Sequence, residues 1–165
     1  MTKKRTLEDA FHEELRDVLS AEKQLSQALP RLAKAASNEQ LREALLHHAE
    51  ETSHQVDRLE QVFELIDKKP RAKRCEAMEG LVEEGKELLE TDAEPEVLDA
   101  MLIGAAQKAE HYEIATYGTL CTWAECLGFD KAAELLKATL EEEKMADEKL
   151  TEIAESINQA ALAGK

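Results

Sequence analysis

The chain of 165 residues is 43% hydrophobic and 35% charged, with six Gly and three Pro, and its bias toward Ala, Leu, Glu and Lys predicts one all-α domain over residues 1–165. A formal net charge of −15 argues against nucleic acid as a partner, since that affinity rests on Lys and Arg neutralising phosphates. No apolar run approaches a membrane span, the opening MTKKRTLEDAF lacks the apolar core of a signal peptide, and Cys75, Cys121 and Cys126 form no CxxC pair; a reduced, cytoplasmic setting without a membrane is expected.

Helical periodicity predicts a first helix over about residues 7–36, opened by Thr6 with Asp9 three residues on, a variant capping box. Its apolar seam runs Phe11, Leu15, Val18, Glu22, Leu25, Leu29, Leu32, and Pro30 should bend the helix rather than end it. Ser37 with Gln40 reads as a second capping box, starting a helix over about residues 38–67 with Leu41, Leu45, His48, Leu59, Val62 and Ile66 inward. The basic stretch KKPRAKR is a linker, and a short helix weakened by Gly80 and Gly85 is expected over about residues 76–90. Pro95 suits the first turn of a third long helix, about residues 95–127, which Gly128 should end. Its seam is Leu102, Ala106, Glu110, Glu113, Tyr117, Leu120, Ala124. The fourth long helix, about residues 130–158, carries Leu136, Leu140, Glu143, Asp147, Leu150, Ala154, Ile157. Four long helices and one short one read as a four-helix bundle.

Each long helix places charge on its apolar seam. Glu22 does so in the first; the second has Glu51 and His54, three apart and so on one face; the third has Glu110 and Glu113; the fourth has Glu143 and Asp147. From the turn at Ser37, Glu22 is 15 residues back and Glu51 is 14 forward, so at about 1.5 Å per residue both lie roughly 20 Å along the bundle. From Phe129, Glu113 and Glu110 are 16 and 19 back while Glu143 and Asp147 are 14 and 18 forward. All four helices thus bring carboxylates to one mid-height layer.

Buried carboxylates cannot all stay ionised side by side without a proton or a cation. Six carboxylates and one imidazole suit the oxygen- and nitrogen-rich shell of two divalent metals such as iron or manganese. The di-metal bundle pattern takes a Glu from each of two helices and Glu-x-x-His from each of the other two. Glu22 and Glu110 fit the single positions and Glu51-x-x-His54 fits one motif, but Glu143 is followed at +3 by Ala146, so Asp147 or Glu113 must replace the second His. His48, nearly a turn before Glu51, is a candidate to orient a ligand from outside. Tyr117 reads as a buried phenol bonded to a carboxylate, and the run Glu141–Glu143 as a solvated face apart from Glu143.

The segments SAEKQLSQALPRLAKAASN, HAEETSHQVDRLEQVF, CEAMEGLVEEG, AAQKAEHYEIATYGTL and LEEEKMADEKL resemble the YciE/YciF-type stress-protein family of ferritin-like proteins over nearly the whole chain. More distantly, the ExxH and ExxE spacings are similar to those of rubrerythrin. The resemblance implies a ferritin-like antiparallel bundle with the short helix in its crossover, commonly a homodimer. It implies two divalent ions, iron in first place with manganese or zinc as alternatives, on Glu22, Glu51, His54, Glu110 and Glu143, joined by Glu113 and Asp147. Rubrerythrin's peroxidase role needs a rubredoxin-like iron site held by four cysteines, which three scattered cysteines cannot supply. The expected function is a di-metal stress-response protein, ferroxidase- or peroxidase-like, reacting with oxygen or peroxide. The alternative is a non-enzymatic helical stress protein whose polar layer only sets helix register.

Overall fold

The computed structural model describes residues 4–164, which form helices α1 (Leu7–Ala35), α2 (Glu39–Leu65), α3 (Glu76–Leu89), α4 (Pro95–Cys126) and α5 (Asp130–Ala163). The capping box at Thr6 and Asp9 forms as the spacing predicts, and Pro30 stays inside α1. The next cap shifts by one residue. Asn38, not Ser37, accepts the Leu41 amide at 3.0 Å, because Ser37 is taken by Asp99 near the start of α4. Asp99 accepts the Ser37 amide at 2.8 Å, the Ser37 hydroxyl at 2.5 Å and the Asn38 amide at 2.9 Å.

The last turns of α2 and α4 end alike. Asp67 and Gly128 take positive φ values of 54° and 75°, and the following amides, of Lys68 and Phe129, reach back to the Phe63 and Ala124 carbonyls at 3.0 and 2.9 Å. This is the left-handed cap that satisfies the last carbonyls of a helix. In contrast, α5 runs five residues past the expected end at Asn158, to Ala163, because AALA continues a strong helix-forming run and nothing stops it before Gly164.

The bundle is a ring in the order α1, α2, α5, α4. The Ser37–Asp99 contact puts the start of α4 at the end where α1 finishes and α2 begins, so every neighbouring pair in the ring is antiparallel. The crossover from α2 to α4 returns along the bundle, with α3 resting on α1 and α4. It is fastened to α1: the Arg16 guanidinium donates to the Arg71 carbonyl, the Lys73 amide to the Arg16 carbonyl, and the Cys75 amide to Ser20 Oγ.

Two apolar clusters fill the ring. Leu25, Leu29, Leu41, Leu45, Leu102, Leu150 and Ile153 pack toward the Ser37 end, and Phe11, Leu15, Leu59, Phe63, Leu120 and Leu136 toward the other. Each fully buried side chain of this size contributes about 1.5–3 kcal/mol. Between the clusters lies a band of buried polar residues: Glu22, His48, Thr52, Gln55, Glu110, Glu113, Thr139 and Glu143. No helix among the described residues is long and apolar enough to cross a membrane.

Candidate metal centre

The seam of α2 follows one unbroken series of alternating four- and three-residue steps: Leu41, Leu45, His48, Thr52, Gln55, Leu59 and Val62 are all buried. His48 therefore points into the polar band, and residues 51 and 54 sit on its flank. His54 is exposed, so the ExxH motif does not deliver its imidazole to the centre. Glu51 stands at the rim, its side chain 26% exposed and its Oε2 3.6 Å from His48 Nδ1.

On α5 the buried positions are Ala132, Ala133, Leu136, Thr139, Glu143, Leu150, Ile153 and Ile157. This phase brings Glu143 inward and turns Asp147 aside. Asp147 is half-buried and faces α4, where its carboxylate lies 3.2 Å from His111 Nε2 and 3.3 Å from Gln107 Nε2. It does not take the place of the missing second His. Ala146, at the position where the second His would stand, is half-buried.

His48, Glu110, Glu113 and Glu143, all buried, each offer one ligand atom within 4.8 Å of the others. His48 Nε2 lies 2.8 Å from Glu110 Oε1, 3.6 Å from Glu143 Oε2 and 3.9 Å from Glu113 Oε2. Glu22, fully buried on α1, joins them beside Glu113 and accepts a hydrogen bond from the Tyr117 hydroxyl. Glu22, Glu110, Glu113 and Glu143 are thus brought together as the sequence places them. His48 takes the central imidazole position in place of His54. Continuing the four-three steps from Leu45 through His48 to Leu59 is the signal that selects it.

The electrostatics follow from burial. It pushes the Glu113 carboxyl well above the ordinary carboxylate range, and the charges of Glu22, Glu143 and Glu110 push the same way. Burial likewise raises Glu143, with Glu110 adding to it and the His48 charge opposing. Glu22 is pushed up to about 6 by burial, against the neighbouring Glu113 carboxyl and the Tyr117 hydroxyl, which favour its charged form. For His48 burial disfavours the charged ring, yet Glu110, Glu51 and Glu143 outweigh it and lift the imidazole well above 6.5. Tyr117 is raised by burial and by Glu22, which keeps it a donor.

The donor set fits a cation. Among the described residues, Glu22 Oε2, Glu110 Oε2, both oxygens of Glu113 and Glu143, and both ring nitrogens of His48 are buried without a hydrogen-bond partner; the short His48–Glu110 approach lies outside hydrogen-bonding geometry. An unsatisfied buried polar group costs about 1–3 kcal/mol, so such a collection needs protons or a positive ion among them. Carboxylate oxygens with one imidazole suit divalent iron, manganese or zinc.

A ferritin-like antiparallel bundle with a His–carboxylate cluster at mid-height is the class of protein that this fold and site define. The chain belongs to the family described as a domain of unknown function, DUF892, which matches residues 6–163. It is 56% identical over 151 residues to Protein YciF of Escherichia coli (strain K12), covering 91% of each chain. The crystal structure of the E. coli stress protein YciF superposes with a TM-score of 0.91 at 54% identity, over 94% of this chain and 99% of that one. YcfI from Rhodopseudomonas palustris gives 0.88 at 43% identity, over 92% and 97%.

Proposed function

We propose that this chain is a stress-response protein whose buried cluster holds two divalent ions, iron in first place, and reacts with oxygen or peroxide. The observation that carries the reading is the set of unpartnered ligand atoms that Glu22, His48, Glu110, Glu113 and Glu143 turn toward one another from four helices. The stress role rests on the likeness to YciF, which is described as a stress protein. Two ions so held would supply a redox-active centre able to pass electrons to an oxidant. The chain's own residues hold the ions, cover the centre toward both ends of the bundle with the apolar clusters, and orient Glu22 through the Tyr117 hydroxyl. The reading includes a cytoplasmic homodimer, which light scattering of the native protein distinguishes from a ferritin-type shell.

The test is an anaerobic iron(II) titration with metal analysis, followed by oxygen and peroxide consumption. Two ions per chain and oxidant turnover that is lost in Glu110→Ala are expected. Less than one ion per chain, or turnover indifferent to Glu110→Ala, would overturn the reading and leave a polar layer that sets helix register.

A further inference from the structure

One side of the buried centre opens to solvent. A groove of about 610 Å³ lies between α2 and α5, and His47, His48, Glu51, Glu110, Met145 and Ala146 line it. Two of these belong to the buried cluster, and neither ring nitrogen of His48 has a hydrogen-bond partner among the described residues. Beyond Thr52 the same α2–α5 seam is latched. Arg58 donates to both oxygens of Glu142 at 2.8 Å and to Thr139 Oγ1 at 2.7 Å, and Gln55 donates to Glu142 at 3.0 Å.

Glu51 spans the groove from outside to inside. Its Oε1 lies 3.4 Å from Nε2 of His47, whose side chain is 70% exposed, and its Oε2 lies 3.6 Å from Nδ1 of His48, whose side chain is 6% exposed. Ligand atoms about 3 Å apart can share one ion, because metal–nitrogen and metal–oxygen bonds are each about 2 Å long. The carboxylate of Glu51 therefore faces a solvent imidazole with one oxygen and the centre's imidazole with the other. Ala146 lines the same groove, where a larger side chain would narrow the passage.

We propose that His47 and Glu51 form an outer transit site that receives hydrated divalent cations and hands them to the buried centre past Ala146. The proposal rests on the metal-binding reading above and adds the route and the residues that serve it. His47 and Glu51 would take the place of some of the cation's water, and His48 and Glu110 would then take the place of His47. No bond of the protein is made or broken, and each water released returns to the groove.

Cobalt(II), whose visible bands report coordination by imidazole and carboxylate, is the probe. Stopped-flow mixing gives the loading rate and equilibrium titration gives the ions held per chain, for the wild type, for His47→Ala combined with Glu51→Gln, and for Ala146→Leu. Clefts that concentrate a charged ligand raise association rates by about 10–1,000-fold, so loading should slow about tenfold or more in both variants while the ions per chain stay at the wild-type value. Unchanged loading in the His47/Glu51 variant overturns the proposal, whatever Ala146→Leu does. A drop in ions per chain in that variant also overturns it, by making Glu51 a resident ligand. If the wild type itself holds no cobalt, the metal-binding reading fails and takes the route with it. Far-ultraviolet circular dichroism of each variant separates slow loading from misfolding.

Discussion

His48 of α2 and Glu110 of α4 meet across the diagonal of the helical ring, with Nε2 2.8 Å from Oε1. The contact joins two helices that are not neighbours in the ring and defines the centre of the polar band. It also separates His48 from His54, which lies outside that band. His48→Ala should weaken divalent-metal binding by at least about 10–100-fold, whereas His54→Ala should leave it within error. Isothermal titration with zinc or manganese on the two variants checks this. Equal losses in both would return the ligand role to the ExxH motif.

The metal-free protein should be more stable in mild acid than at alkaline pH. Glu22, Glu113 and Glu143 are raised above the ordinary carboxylate value of 4.5, Glu22 to about 6. Between the unfolded and folded values the native state binds more protons than the unfolded chain, so stability falls as pH rises through that window. His48, lifted above 6.5, acts in the same direction at higher pH. Glu13, Glu79 and Glu142 are lowered, and the stability they add is lost only below the ordinary carboxylate value. Thermal melts of chelator-treated protein should therefore show a lower Tm at pH 8 than at pH 5.5. Adding manganese should reverse the order, because metal binding displaces protons and strengthens with pH. A metal-free Tm that climbs steadily from pH 5.5 to 8 would contradict the assignment.

Tyr117→Phe removes the only hydroxyl that donates to Glu22 among the described residues. The loss leaves a buried carboxyl oxygen unmet, which costs about 1–3 kcal/mol, or several degrees in Tm for a chain of this length. Because that bond favours the charged form, Glu22 should titrate still higher in the variant, above about 6. Carbon-13 shifts of labelled glutamate carboxyls across pH 4–9 read this directly. An unchanged titration would mean that Tyr117 only fills space.

The bundle was legible because its determinants are local: capping residues at Thr6, Pro95 at a first helical turn, Gly128 after a last one, and long runs of helix formers. Most of the centre was legible too, since Glu22, Glu110, Glu113 and Glu143 stand on apolar seams at matched depth. The second helix misled for a physical reason. In EETSH the charged residues Glu51 and His54 advertise a face, but Thr52 and Gln55 are the ones buried, and their small or neutral side chains carry little signal. The same half-step error put Asp147 on the seam of α5, although Thr139 and Glu143 fix a phase that faces Asp147 toward His111. Asp99 gave no sign at all. Its role depends on two backbone amides brought from more than sixty residues away, which no periodicity encodes.

That same Asp99 supports the last prediction. It is 1% exposed and accepts three hydrogen bonds from the α1–α2 turn, in place of a cation. Hydrogen bonds to a charged group are worth about 1.5–3 kcal/mol each, and breaking a buried network of this kind destabilises by more than an average substitution. Asp99→Ala should therefore lower the unfolding free energy by about 3–5 kcal/mol, measured by urea denaturation. Asp99→Asn keeps one acceptor oxygen and should recover part of the loss. Because the contact holds the start of α4 against the first turn of α2, it also sets the relative height of His48 and Glu110. Asp99→Ala should accordingly weaken metal binding in molecules that remain folded, and zinc titration at a temperature well below its Tm reads that coupling. Full stability in Asp99→Ala would show that the turn holds its shape without the carboxylate.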